Sequence, residues 1–184
     1  MNVDRIAVLR ALPGLGDLLC LVPALRAVRA AHPAARVTLV GLPGAGWFVD
    51  RFPHLCDDLL VVEGVDGLPE VAPDPVARSA FARRAAAARF DLALQLHGSG
   101  ATSNAVLDLL GSPYRVTTRP PGNGAAAVAV PTPGPGTVEV MVPYDEHLPE
   151  IGRMLAVAAA AGCPPRGRHL ELPLHPEEEA EAHD

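Results

Sequence analysis

Lysine is absent from this chain, and every one of its 15 basic residues is arginine. No binding chemistry asks for that across a whole surface. It reads as the mark of a GC-rich genome, as do the 20 prolines and 17 glycines. Aromatic residues make up only 4% of the chain against a hydrophobic share of 49%, so the core must be built from Ala, Val and Leu. The three cysteines (Cys20, Cys56, Cys163) are odd in number, far apart and form no CxxC pair, which argues against a disulfide framework and for free thiols in a reducing cytoplasm. No apolar run approaches the roughly 20 residues of a membrane span. The opening MNVDRIAVLRALPG, with its acid at position 4, is too interrupted for a signal peptide. There is no HExxH and no paired Cys/His spacing, so no metal is expected. Ser79, Ser99, Ser103 and Ser112 sit in no GxSxG elbow. A basic footprint for nucleic acid is also missing: the formal charge is −6. Five of the acids lie in the last ten residues, and that run reads as a solvated helix face.

What is present is an alternation of short apolar runs and helical segments. Ile6–Leu9, Val37–Leu42, Leu59–Val62 and Asp91–Leu96 read as buried strands. Residues 18–31 read as a helix, with Pro23 either kinking it or marking the first turn of its regular part. A short helix is expected at 47–52, longer ones at 76–90 and from HGSG to Leu110, and a last one at 147–161, closed by Gly162. Residues 64–75 and 111–136 are rich in Pro and Gly and read as irregular, the latter with short strand-like pieces at 114–118 and 126–130. Strands alternating with helices imply βαβ units and a Rossmann-like parallel sheet with flanking helices. Ligands of such sheets bind at the loops following the strands.

Two such loops stand out. In R10-A-L-P-G-L-G-D17, Gly14 and Gly16 would let a substrate approach the backbone, and Asp17 could accept a proton from a substrate hydroxyl. Asp17 could equally be an ordinary helix cap. GLGDLL lacks the third glycine of a dinucleotide fingerprint, and no GK[ST] follows for a P-loop. In Q95-L-H-G-S-G100, Gln95, His97 and Gly98 could bind substrate hydroxyls or merely cap the next helix. His147, with Arg153, opens the last helix, where a charged His is unfavourable; it is neutral, near a ligand, or solvated.

In combination and in order, these stretches resemble the family-nine glycosyltransferases, the ADP-heptose:lipopolysaccharide heptosyltransferases and their relatives. IAVLRALPGLGDLLCLVPALR is similar to the family's opening strand, G-x-G-D loop and P-A-L-R helix. FDLALQLHGSG is similar to its D-L-x-x-x-L-H-G segment. HLPEIGRMLAVAAAAG resembles its H-x-x-E-x-x-R-x-L helix, and LELPLHPEEEAEA the stretch leading into a second domain. The resemblance implies the N-terminal half of a GT-B fold, residues 1–170 being the acceptor-binding domain. Residues 171–184 would lead into a nucleotide-sugar-binding domain. It implies an inverting, metal-independent transfer with no cofactor, from an ADP-heptose-like donor to a glycan or glycolipid acceptor. That chemistry would sit in the cytoplasm at the inner face of the membrane, with peripheral membrane contact. Asp17 takes the place of the catalytic base. Arg10, Gly14, Gly16, Gln95, His97, Gly98, His147 and Arg153 fall at positions that would line the substrate cleft. The acceptor-side piece alone is expected to be inactive. The other reading is a non-catalytic Rossmann-like binding module. The chain departs from the family at residues 63–75, which carry four acids and no base and so point away from a phosphorylated lipid acceptor.

Overall fold

The computed structural model describes residues 3–120, 136–174 and 177–178. Six strands form one parallel sheet in the order β3-β2-β1-β4-β5-β6: β1 (Arg5–Leu9), β2 (Arg36–Gly41), β3 (Asp58–Val61), β4 (Leu92–Gln95), β5 (Tyr114–Arg119) and β6 (Val138–Pro143). The helices are α1 (Leu15–Leu19), α2 (Val22–Ala31), α3 (Gly46–Arg51), α4 (Pro75–Ala88), α5 (Asn104–Leu110) and α6 (Glu150–Ala160), with a 3-10 turn at Pro43–Ala45.

The alternation of side chains along β1 divides the interior into two cores. Ile6 and Val8 face the side covered by α2, α3 and α6, together with Val37, Leu39 and Leu94. Ala7 and Leu9 face α4 and α5, together with Val40, Ala93 and Phe81. Burial on both faces is why these strands read as continuous apolar runs. Their starts are pinned by carboxylates: Asp91 accepts from the amides of Asp4 and Arg5, and Asp57 from that of Val37. The chain leaves β1 toward β2 on one side, while β4 continues to β5 on the other. The direction of winding therefore reverses between β1 and β4, and a crevice opens there beyond the strands' carboxyl ends.

The structure differs from the sequence reading at four places. The helix expected at 18–31 is two helices, because Pro23 lacks an N–H and its ring cannot lie against a continuing helical turn. α6 starts at Glu150 rather than His147, with Pro149 as its N-cap; the residue before a proline is driven out of helical geometry. β6 was unanticipated: VEVMVP alternates in burial as an edge strand, but its Pro- and Gly-rich neighbourhood masks the pattern. Residues 166–174, where LELPL has the apolar alternation of a strand, pair with no strand. They lie across α2 and α3, where Arg26 bonds the carbonyl of His169 and Arg51 that of Pro173 (2.8 Å). The piece expected at 126–130 lies outside the described residues.

Other signals hold. Gly162 (φ +81°) closes α6 with two backbone bonds, its own N–H to Ala159 O and that of Cys163 to Ala158 O. Asp74 caps α4 by accepting from the amides of Val76 and Ala77. Leu94 is fully buried beneath α2 and α6, so Leu94→Ala should lower stability by about 2–5 kcal/mol in a denaturant titration. Val76→Ala, at an 80% exposed position, should shift it by less than about 0.5 kcal/mol.

Candidate active site

Arg10 is the first residue beyond β1, and it is fully buried. A guanidinium without water must find its partners inside the protein. Here Nη1 donates to the carbonyl of Leu96 (2.9 Å) and to Glu150 Oε1 (2.6 Å). Nε donates to the backbone carbonyl of Asp17 (3.2 Å), and Nη2 reaches Asp17 Oδ1 (3.4 Å). One side chain thus joins α1, the loop after β4 and the start of α6. The sequence reading made Arg10 a substrate ligand. Its burial and its bonds to three parts of the chain make it a support for the site.

Asp17 lies in the first turn of α1, whose N-cap is Gly14, and makes no side-chain capping bond. Its side chain is 44% exposed. The carboxylate folds back over Gly14, so closely that a Cβ on that residue would stand 2.4 Å from Asp17 Oδ2. Gly14 is therefore a steric requirement of the Asp17 conformation. Gly16 is not, since nothing lies within 4 Å of where its Cβ would be. The carboxylate is left partly exposed after β1, steadied on one oxygen by Arg10.

The loop after β4 is stitched to the loop after β1. Leu96 N–H donates to the carbonyl of Leu9, and Ala11 N–H donates to His97 Nδ1 (3.2 Å). The second bond requires a bare Nδ1, so the imidazole carries its proton on Nε2. Burial pushes the His97 pKa down; Glu70 opposes this and the Arg10 charge reinforces it. Gln95 is fully buried and fully engaged. Its amide donates to the carbonyl of His97 and to Ser103 Oγ, and its oxygen accepts from Thr118. It borders the crevice and braces the 97–100 turn. Gly98 (φ +61°) is exposed, and Gly100 (φ +83°) packs where a Cβ would lie 2.5 Å from Thr118 O.

α6 closes the other wall. Glu150 accepts from both Arg10 and Arg153. Burial alone would raise the Glu150 pKa, but the bonds from Arg153 and Arg10 outweigh it and hold the carboxyl below its ordinary value. Arg153 also donates to the carbonyl of Leu148 and lies over the Tyr144 ring, 4.8 Å from its centre. A shallow crevice runs between Leu96, Gly98, Thr118, Tyr144, Glu150 and Arg153. His147 is not brought into it. It is exposed and outside the helix, with its amide on Asp145. Two site residues escaped the sequence reading. Glu150 was available as the (i, i+3) partner of Arg153. Glu70, 3.8 Å from His97 Nε2, carried no motif. Among the described residues, no group of three or more His, Cys, Asp and Glu could hold a metal ion, and no helix is long and apolar enough to cross a membrane.

No family model matches the chain, and no curated protein matches it in sequence. Solved structures match it in fold. A family 9 glycosyl transferase from Veillonella parvula covers 100% of this chain at a TM-score of 0.67 and 19% identity. The chain has the fold of the N-terminal half of a GT-B glycosyltransferase. ADP-heptose lipopolysaccharide heptosyltransferase II of E. coli covers 97% of it at a TM-score of 0.64 and 15% identity. The E. coli heptosyltransferase WaaC, solved with ADP-2-deoxy-2-fluoro heptose, covers 93% at a TM-score of 0.61 and 15% identity. The chain spans about half the length of these proteins, 49% of the first two and 50% of the third.

Two measurements check the site's construction. Arg10→Met should cost about 1–3 kcal/mol, because it leaves the buried Leu96 carbonyl without its donor and takes one of two arginines from Glu150, and Arg10→Lys should restore only part, since an ammonium cannot reproduce the planar fork. The second concerns pH. The folded His97 pKa lies below its ordinary 6.5, so the unfolded chain takes up this proton first. The stabilisation is complete above about 6.5 and is lost as pH falls from there through the folded value. Urea midpoints measured from pH 8 down to pH 5 should therefore fall more steeply for the wild type than for His97→Gln.

Proposed function

We propose that this chain is the acceptor-side half of an inverting, metal-independent glycosyltransferase that uses a nucleotide-sugar. The observation that carries the reading is Asp17. It is a half-exposed carboxylate at the switch point of this fold, free of any capping role and oriented by a buried arginine. A carboxylate so placed can take the proton of an acceptor hydroxyl. The freed oxygen attacks the anomeric carbon from the face opposite the nucleotide. The bond from that carbon to the diphosphate oxygen breaks, and the nucleoside diphosphate leaves with the bonding electrons. No metal is required of this half, since the departing negative charge forms on the donor side.

In this reading Gly98 and the edge of His97 line the acceptor's path, and the Glu150–Arg153 pair forms the wall toward the donor. Residues 171–184 lead into the donor-binding half. The ADP-heptose named with one solved neighbour makes an ADP-activated heptose the first donor to try. A glycolipid acceptor would put the transfer at the inner face of a membrane.

The test is replacement of Asp17. With the chain joined to a donor-binding half, Asp17→Asn should lower sugar transfer by roughly 10²–10⁴-fold, whereas a rate within about threefold of wild type would remove the base role. The 184-residue chain alone should release no nucleoside diphosphate from any nucleotide-sugar. Turnover by the isolated chain would show that this half is not merely the acceptor side.

A further inference from the structure

Residues 63–74, between β3 and α4, carry Glu63, Asp66, Glu70 and Asp74 and no basic residue. This loop is built into the fold. Val65 and Leu68 are buried in the core under α4 and α5, and Gly64 bridges to Pro73. Gly67 (φ +92°) packs so tightly on Thr102 that a Cβ there would stand 2.8 Å from its carbonyl oxygen. This packing carries Glu70 to the mouth between the β1 and β4 loops, with Oε2 3.8 Å from His97 Nε2.

His97 is nine-tenths buried, with 9% of its side chain exposed. Its Nδ1 is occupied by the Ala11 amide, so the proton is on Nε2. That N–H has no hydrogen-bond partner among the described residues, and 3.8 Å to Glu70 is beyond direct reach. A donor at the open edge of a mostly buried ring and a carboxylate held this far apart do not satisfy each other, yet both can be satisfied by one hydroxyl. It would accept from Nε2–H and donate to Glu70. The surrounding charge agrees. The charged groups around His97 are the carboxylates of Glu70, Glu150 and Asp17 and the single guanidinium of Arg10, already engaged with Glu150 and Asp17. Arg153, further along the wall, is paired with Glu150.

Resting on the transferase reading, we infer that Glu70 and His97 together grip a hydroxyl of the acceptor, and that the acceptor enters this mouth as an uncharged polyhydroxyl group rather than a phosphorylated one. A phosphate here would meet carboxylates, while the guanidiniums of Arg10 and Arg153 are already paired with Glu150.

The probes are methyl α-glucoside and methyl α-mannoside, set against glucose 6-phosphate and mannose 6-phosphate. Binding is read from amide shifts of Ala11, His97 and Gly98 in NMR spectra of the 184-residue chain. The methyl glycosides should bind at least about tenfold more tightly than the phosphates. Glu70→Gln should weaken the glycosides by roughly threefold or more and narrow that margin. Glu70→Arg should invert it, a result that loss of structure could not produce. Phosphates binding as tightly as the glycosides to the wild type would overturn the inference and leave the transferase reading standing, since that reading is decided by Asp17→Asn. If no sugar moves these amides, or if Glu70→Gln leaves both affinities unchanged, the shared grip is wrong.

Discussion

A guanidinium with no access to water, one residue beyond the central strand, sets the terms for everything at the upper edge of this sheet. Burying a charge costs several kcal/mol unless its donors are met from several directions. Arg10 meets that condition through Asp17, Leu96 and Glu150, which belong to three different parts of the chain. The start of α6 is therefore held over the junction of β1 and β4 by its own acidic residue. Asp17 is held at the rim by the same side chain. Stability and site geometry are coupled through one group, which is paired with Glu150 and also steadies Asp17.

Around this hub the polar groups fall into two sets. Gln95, Ser103, Thr118 and Asn104 lie behind the 97–100 turn and bond to one another and to its backbone. Buried groups bonded in this way hold a loop in one conformation, although the Asn104 side-chain oxygen has no partner among the described residues. Asp17, the Nε2 edge of His97 and Glu70 are among the polar groups that keep bonding capacity to spare. Rigid support behind and unsatisfied capacity in front is the arrangement expected of a site that receives a polar molecule in a fixed orientation.

Much of this was legible along the chain, for identifiable reasons. Apolar runs such as IAVL and DLALQL are buried on both faces of a parallel sheet, so composition alone marks them. Pro23 and Gly162 declare a helix start and a helix end because their backbones permit little else. β6 was hidden because an edge strand is only half buried and its alternation is short. His147 and Arg153 share a motif, but Pro149 separates their fates, leaving one in solvent and the other against Tyr144.

The sequence by itself determined the layered α/β architecture, the loops where chemistry belongs and the singling out of Asp17. Those rest on local preferences and on periodicity, which neighbouring residues decide among themselves. Only the tertiary structure decided what each polar residue does. Arg10 proved a buried brace because Glu150, 140 positions away, arrives beside it on α6. Gln95 proved a support for a turn because Thr118 comes alongside on β5. Glu70 reached His97 because Val65 and Leu68 drag an acidic loop into the core. Burial and pairing are properties of space rather than of chain order, and they separate the residues that hold the site from those that face its occupant.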